Sequence, residues 1–282
     1  MKTALLQMDI LMNDREGNKK KVAEMMEQAV LENPDIDLFV LPELWTYPFI
    51  FGGKWNEEKA ESRKALLEKQ LAEYGENEGS STLLYLSGLA KKYKVFLVAG
   101  SLPFLQEDGN YKNTTLVFDR EGRMAGSYDK VHLCTWCGED RAFQNGERVT
   151  VLKTEIGNLA PIICYDIRFP ELARRAALNG ANLLVVTSDF GHNPENPKTD
   201  IWRTLLKARA IENMMFVVAC DRCGTGPESS YFGHSMIIDP FGHVLAEGDD
   251  KEGIIVGDIA YELVEEARGA IDVFGDRQPE VY

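Results

Sequence analysis

Three residues of this chain belong to types that make and break acyl bonds, and each stands where an apolar strand pattern stops. Glu43 follows DLFVLP, Lys130 lies in SYDKVHL, and Cys164 lies in APIICYDIRFPE. A thiol attacks a carbonyl or nitrile carbon as its thiolate, so it needs a base and a nearby positive charge. Glu43 can take the proton of Cys164 and later activate water, while Lys130 can stabilise the thiolate and then the oxyanion. The backbone N–H of Tyr165 is the natural second oxyanion donor. A glutamate acting as base near neutral pH needs a raised pKa, from burial or from a second carboxylate. Glu139, nine residues after Lys130, is the candidate for that carboxylate. Singly, each residue has an ordinary reading: a Cys ending a core strand packs as a small hydrophobe, a Glu after Pro is a loop carboxylate, and a Lys in a turn is solvated. Together they form a chemical set.

The elements that must position this set alternate between strands and amphipathic helices. Ala4–Met8 and Asp37–Leu41 read as strands, and VFLVAGS (95–101), Leu159–Cys164, Asn182–Val186 and Met215–Ala219 follow the same apolar pattern. Between the first two, Val22, Met25, Met26, Ala29 and Val30 recur at i, i+3, i+4, i+7 and i+8, one face of a helix that Asn33-Pro34 ends. Further helices are expected over 57–74, 82–93, Glu171–Leu178 and 198–213. NTTLVFD and the segment Met124–Tyr128 read as a hairpin across Arg120–Arg123, and GHSMIID and HVLAEG pair across Pro240-Phe241-Gly242. Alternation with late hairpins predicts an α/β layered sandwich with mixed sheets. Open α/β sheets gather their sites at the carboxyl ends of strands, where Glu43 and Cys164 both stand. Without an internal repeat, low-complexity tract or linker, residues 1–282 read as one domain.

The 282 residues carry 31 Lys and Arg against 45 Asp and Glu, a net charge of −14. That balance disfavours nucleic-acid binding, which needs clustered cations. The longest apolar run, Met214–Cys220, is seven residues, against about 20 for a membrane helix. The opening MKTALLQMDI is interrupted by Gln7 and Asp9 and does not read as a signal peptide. Five cysteines, an odd number, then point to a reducing cytoplasm.

VLPEL, YDKVHL and ICYDIRFPE, in this order and spacing, resemble the Glu–Lys–Cys motifs of the nitrilase superfamily of carbon–nitrogen hydrolases. The resemblance runs nearly end to end, through YKNTTLVFDREG, GEDRAFQNGE, KARAIEN and GHSMIIDPFGHVLAEG. It implies an α-β-β-α sandwich that associates into a four-layered αββα-αββα homodimer, with the tail from about 260 to 282 in oligomer contacts. It implies a cofactor-free, metal-free hydrolase with Glu43 as general base, Lys130 stabilising the tetrahedral intermediate, Cys164 forming the thioester and Glu139 beside the lysine. The best local likeness is to the ω-amidase branch, which hydrolyses the terminal amide of small 2-oxo acids. Such a substrate carries a carboxylate, and Arg168, four residues past Cys164, is the candidate to bind it. The competing reading pairs Arg168 with Asp166 or Glu171. Phe190, after LLVVTSD, is a candidate pocket wall or plain core, and Arg209, Glu212 and Asn213 read as structural. The loop Thr187–Asp200 departs from close ω-amidases, which puts the substrate in question more than the chemistry.

Other readings remain. The same triad serves N-carbamoyl amino acid hydrolases and nitrilases, and a silent member would bind a small molecule without turnover. Two CxxC pairs, Cys134/Cys137 and Cys220/Cys223, suggest a four-cysteine zinc site, but 82 residues separate them, against about 15–20 in compact zinc ribbons. Both pairs are therefore expected as free thiols. No histidine has a local signature beside Cys164, and His132, next to the Lys130 motif, is expected to order the site.

Overall fold

The computed structural model describes residues 1–47, 60–192, 199–226 and 230–281. The elements run β1 (Lys2–Gln7), α1 (Arg15–Glu32), β2 (Ile36–Val40), α2 (Ala60–Tyr74), α3 (Ser81–Tyr93), β3 (Phe96–Val98), β4 (Leu102–Leu105), β5 (Tyr111–Phe118) and β6 (Met124–Asp129). Then come β7 (Leu152–Thr154), β8 (Gly157–Ile163), α4 (Pro170–Leu178), β9 (Leu183–Ser188), β10 (Gly191–His192), α5 (Thr199–Asn213) and β11 (Phe216–Asp221). The chain closes with β12 (Cys223–Thr225), β13 (Ser230–Phe232), β14 (Met236–Ile238), β15 (Val244–Glu247), β16 (Gly253–Asp258) and α6 (Glu262–Ala270). Residues 57–59 of the expected 57–74 helix, residues 193–198 of the loop 187–200, including position 198 of the expected 198–213 helix, and Tyr282 of the expected tail lie outside the described residues.

Two mixed sheets form the centre, ordered β16-β1-β2-β3-β5-β4, with β6 on β5, and β15-β14-β11-β9-β8-β7. The alternation of side chains along the parallel strands explains why they stack. Leu5, Leu38, Val40, Leu183, Val185, Phe216 and Val218 point into a core that lies between the sheets. Their neighbours Leu6 and Phe39 meet Val22 and Met26 of α1 and Leu86 and Ala90 of α3 in one outer core. Leu184, Val186, Val217 and Ala219 meet Ala173 and Ala176 of α4 and Trp202 and Leu206 of α5 in the other. Strands apolar on both faces must be covered on both faces, and each buried Leu or Val contributes about 1.5–3 kcal/mol. The result is the expected α-β-β-α sandwich.

Local signals set the helix ends. The Asp14 side chain accepts from the Gly17 N–H at 2.8 Å to start α1, Pro170 opens α4 at its first turn, and Gly180 closes it at φ 92°. Both expected hairpins are present, β5 with β6 and β14 with β15. The sequence pattern missed β16, which pairs antiparallel with β1, and the small sheet β10-β13-β12. These strands are short or unevenly buried, so they lack the period-2 apolar signal.

The tail beyond β16 begins with α6, which docks on its own chain. Val264 joins the inter-sheet core, and Arg268 donates to the Ala181 carbonyl at 2.7 Å.

Candidate active site

Strand ends and two turns deliver the site. Glu43 lies just beyond β2, and its N–H donates to the Ser188 carbonyl at the end of β9 at 3.2 Å. The loop after β3 packs tightly behind it: Gly100 has φ 65°, and a Cβ there would stand 2.0 Å from the Pro42 carbonyl oxygen. Only glycine fits that approach. Lys130 follows β6, with its carbonyl accepting from Gly146 N–H at 2.7 Å and its N–H donating to the Asn113 carbonyl of β5 at 2.9 Å.

Cys164 leaves β8 at φ 42°, in the left-handed region that side chains with a Cβ rarely adopt. It opens a 3₁₀ turn, Cys164–Arg168, at whose start the Tyr165 N–H stands among the groups without an intrahelical acceptor. Asp166 holds this turn by accepting from Ile163 N–H at 3.0 Å, His132 N–H at 2.9 Å and the Tyr128 hydroxyl at 2.7 Å. The His132 ring meets Asp166 through Nδ1 at 2.9 Å and stacks on Phe169 at 3.6 Å, the ordering role expected of it. From α5, Arg209 donates twice to the Ile167 carbonyl, at 3.0 and 2.7 Å, and pairs with Glu212 at 2.8 Å. Asn213 donates to the Arg209 carbonyl at 3.0 Å.

Three chain segments converge on Lys130. Its Nζ lies 2.8 Å from Glu43 Oε1 and 2.9 Å from both oxygens of Glu139. Asn113 Nδ2 bridges the carboxylates, at 2.8 Å from Glu43 and 2.9 Å from Glu139, and Cys134 N–H adds a bond to Glu139 at 2.7 Å. Glu43, Lys130, Glu139 and Asn113 are each at most 2% exposed. Cys164 Sγ and oxygens of Glu43 and Asp189 lie within 4.8 Å of one another. The charge beside them is the Lys130 ammonium.

The electrostatics follow from this packing. Burial alone would lower the Lys130 pKa, but Glu139 and Glu43 hold it well above the usual ammonium range. Burial pushes Glu43 up, yet the Lys130 charge and hydrogen bonding with the side chains of Asp189, Lys130 and Asn113 outweigh it and hold the carboxyl below its ordinary value. This corrects the expectation of a raised Glu43. The raised partner is Glu139, through burial and the charge of Glu43, against the opposing pull of Lys130. Burial and Glu43 also drive the Cys164 thiol well up, so its resting form is the thiol.

Glu43, Lys130, Glu139 and Cys164 line one cleft of about 90 Å3, together with Tyr165, Arg168 and Phe190. All seven sequence candidates therefore meet there. Arg168 is exposed at the mouth, with its guanidinium 5.4 Å from the Phe190 ring centroid. Among the described residues it makes no ion pair with Asp166 or Glu171, because Asp166 is consumed by the turn. Phe190 is both wall and core, packing on Trp202 at 5.2 Å.

Sequence reasoning missed Asn113, Asp189, Trp136 and Tyr231, which reach the cleft or its carboxylates through the fold. Asn113 had a signal: NTT sits buried inside a strand, where polar side chains need partners. Tyr231 is backed by Arg222, whose guanidinium lies 3.9 Å from the ring centroid.

The CxxC expectation is corrected in half. Cys134 and Cys137 form a disulfide in the cleft wall, because the 3₁₀ turn Thr135–Cys137 brings their Cα atoms to 5.6 Å. Cys220 and Cys223 are buried free thiols.

A family model described as carbon-nitrogen hydrolase matches residues 2–269. The chain belongs to the carbon–nitrogen hydrolase family. A 2-oxoglutaramate amidase of Bacillus subtilis (strain 168) is 35% identical to it over 98% of this chain and 97% of its own length. An omega-amidase of Saccharomyces cerevisiae is 31% identical over 100% and 94%. The crystal structure of Saccharomyces cerevisiae Nit3, a member of branch 10 of the nitrilase superfamily, superposes with a TM-score of 0.85 at 30% identity, covering 99% of this chain and 96% of that one. An amidase from Nesterenkonia sp. AN1 superposes at 0.77 with 26% identity, covering 100% and 95%; in that structure the acetamide moiety of fluoroacetamide is added covalently at the active site cysteine. The carbon–nitrogen hydrolase fold and the nitrilase resemblance thus agree, and this protein is a hydrolase of carbon–nitrogen bonds.

Proposed function

We propose that this carbon–nitrogen hydrolase releases ammonia from the terminal amide of a small 2-oxo acid, such as 2-oxoglutaramate or 2-oxosuccinamate. The observation that carries the reading is the buried Glu43–Lys130–Glu139 cluster beside Cys164, below a cleft with Arg168 at its mouth. In the cycle, Glu43 takes the proton of Cys164, whose thiolate attacks the amide carbon. Lys130 and the Tyr165 N–H hold the oxyanion. Ammonia leaves, and water activated by Glu43 hydrolyses the thioester. A raised thiol pKa makes the base necessary, because the resting sulfur keeps its proton. Glu139 keeps the Lys130 ammonium in place through both its oxygens.

Arg168 binds the far carboxylate of the substrate, a local cation in a chain of net charge −14. The names of the Bacillus and yeast relatives support this substrate class. The reading includes a homodimer: beyond α6, Ile271 and Val281 expose apolar surface, at 64% and 76%.

The test is ammonia release over a panel of 2-oxoglutaramate, 2-oxosuccinamate, glutamine, asparagine, N-carbamoyl amino acids and a simple nitrile, with Cys164→Ala as control. Turnover of the 2-oxo amides, absent from the variant, is the expected result. Silence on these amides with turnover of another member replaces the substrate and keeps the triad. Light scattering checks the dimer.

A further inference from the structure

Asp189 stands at the reacting centre with no part in the cycle just described. It follows β9, and its backbone is clamped on both sides. The Ser188 carbonyl accepts from the N–H groups of Glu43 and Arg222, both at 3.2 Å. Asp189 N–H donates to Glu43 Oε2 at 3.1 Å, and Phe190 N–H donates to Asp221 Oδ1 at 2.7 Å. The side chain so fixed lines the cleft and places Oδ1 3.9 Å from Cys164 Sγ.

Two carboxyls therefore flank the nucleophile, and their surroundings differ. Glu43 accepts from Lys130 and Asn113 on Oε1 and from the Asp189 N–H on Oε2, so three donors favour its charged form. Among the described residues, the Asp189 carboxyl has no ion pair, and its Oδ1 faces the thiol. Burial, the Glu43 charge and hydrogen bonding to Glu43 push it well above the usual carboxylate range, against the weaker pull of Lys130 and Arg222. Three donors favour the charged form of Glu43, while the carboxyl of Asp189, with no ion pair and the thiol before it, is the one of the two whose surroundings favour the neutral form.

We propose that Asp189 is the acid that protonates the departing nitrogen, a step that rests on the amide reading above. An amide nitrogen leaves as ammonia and not as its anion, so C–N cleavage needs a proton at that atom. As the Cys164 S–C bond forms, the thiol proton passes to Glu43. As the C–N bond breaks, the Asp189 proton goes to nitrogen and ammonia departs, leaving Asp189 as carboxylate and Glu43 as acid. A water that takes the place of ammonia bridges the two carboxyls, whose oxygens lie within 4.8 Å, and relays the proton from Glu43 to Asp189. Glu43 is again a carboxylate ready to activate the hydrolytic water, and Asp189 is again an acid. One thiol proton has been delivered to nitrogen, and nothing has been oxidised or reduced.

The experiment compares acyl-enzyme formation in single turnover from two substrates with the same 2-oxo diacid acyl group, the ω-amide and the ω-4-nitrophenyl ester. Nitrophenolate leaves without a proton, so the two substrates differ in the step assigned to Asp189. Asp189→Asn is expected to slow acylation by the amide by about 10²-fold or more and acylation by the ester by less than about 3-fold. Asp189→Glu, which restores a carboxyl, is expected to recover part of the amide rate, and it carries the test should the Asn variant fold poorly. Equal losses on both substrates, or an unchanged amide rate, overturn the assignment. Wild-type protein that acylates from the ester and is silent on the amide overturns the substrate reading itself, and this step with it.

Discussion

The floor and the mouth of the cleft are built on opposite plans. At the floor, Lys130 is held between Glu43 and Glu139 with Asn113 bridging them, and none of the four is more than 2% exposed. At the mouth, Arg168 is exposed and Trp136 is 63% exposed. Buried charges persist only when paired and hydrogen-bonded, so the floor has one arrangement and stays in it. Among the described residues the cation at the mouth makes no ion pair, which leaves it open to the carboxylate that the proposed function assigns to it. On the proposed function, the difference separates what decides the reaction from what decides the substrate.

Substitutions can break that separation, and the largest effects belong to the floor. Cys164→Ala is expected to reduce amide turnover by about 10⁴-fold or more, since no other group can carry the acyl intermediate. Wild-type ammonia release by that variant would sink the mechanism. Glu43→Gln is next: a loss of about 10²–10⁴-fold, with no acyl-enzyme detected by intact-mass spectrometry after mixing with the amide. An acyl-enzyme that forms normally and then persists would confine Glu43 to the water step.

At the mouth, Arg168→Met is expected to raise KM for a carboxylate-bearing amide by about 10–100-fold, the value of a lost charged hydrogen bond, and to leave kcat almost unchanged. A kcat loss with constant KM would move Arg168 from the mouth to the floor. Smaller still is the effect of the wall between them. Denatured, unreduced protein is expected to titrate three thiols, and reduced protein five. Five thiols before reduction would mean that the Cys134–Cys137 wall is open.

Support from behind the site is a separate matter of stability. Arg209→Leu is expected to cost about 1.5–3 kcal/mol in denaturant unfolding, because it orphans the Ile167 carbonyl under the nucleophile turn. An unchanged unfolding midpoint would show that the turn stands without this prop.

Much of this was readable before folding. The apolar runs DLFVL and LAPIIC announced buried strands, and the reactive residues at their ends announced a site, because strand ends are where α/β sheets open. Helix limits were legible from caps and breakers such as Asn33-Pro34 and Asn179-Gly180. Strands without an alternating pattern, such as β16, were not, since their place depends on the neighbour they pair with. Within the site, Cys164, Glu43, Lys130 and Glu139 were legible as residue types. Asp189 was not, since an Asp after a strand has many uses.

The sequence by itself determined the strand-and-helix order, the reactive residue types and the acidic balance, because these follow from local pattern and composition. Tertiary structure decided which groups touch. Glu43 meets Lys130 across 87 residues, Asn113 across 70 and Asp189 across 146. The sign of each pKa shift follows from those meetings, since burial and charge act in space and not along the chain. That is why Glu43 emerged below its usual value and Glu139 above it. Closure of Cys134 on Cys137, while Cys220 and Cys223 stay apart with the same spacing, is the same lesson in covalent form: a tight turn brings one pair together, and the extended strands β11 and β12 hold the other in place.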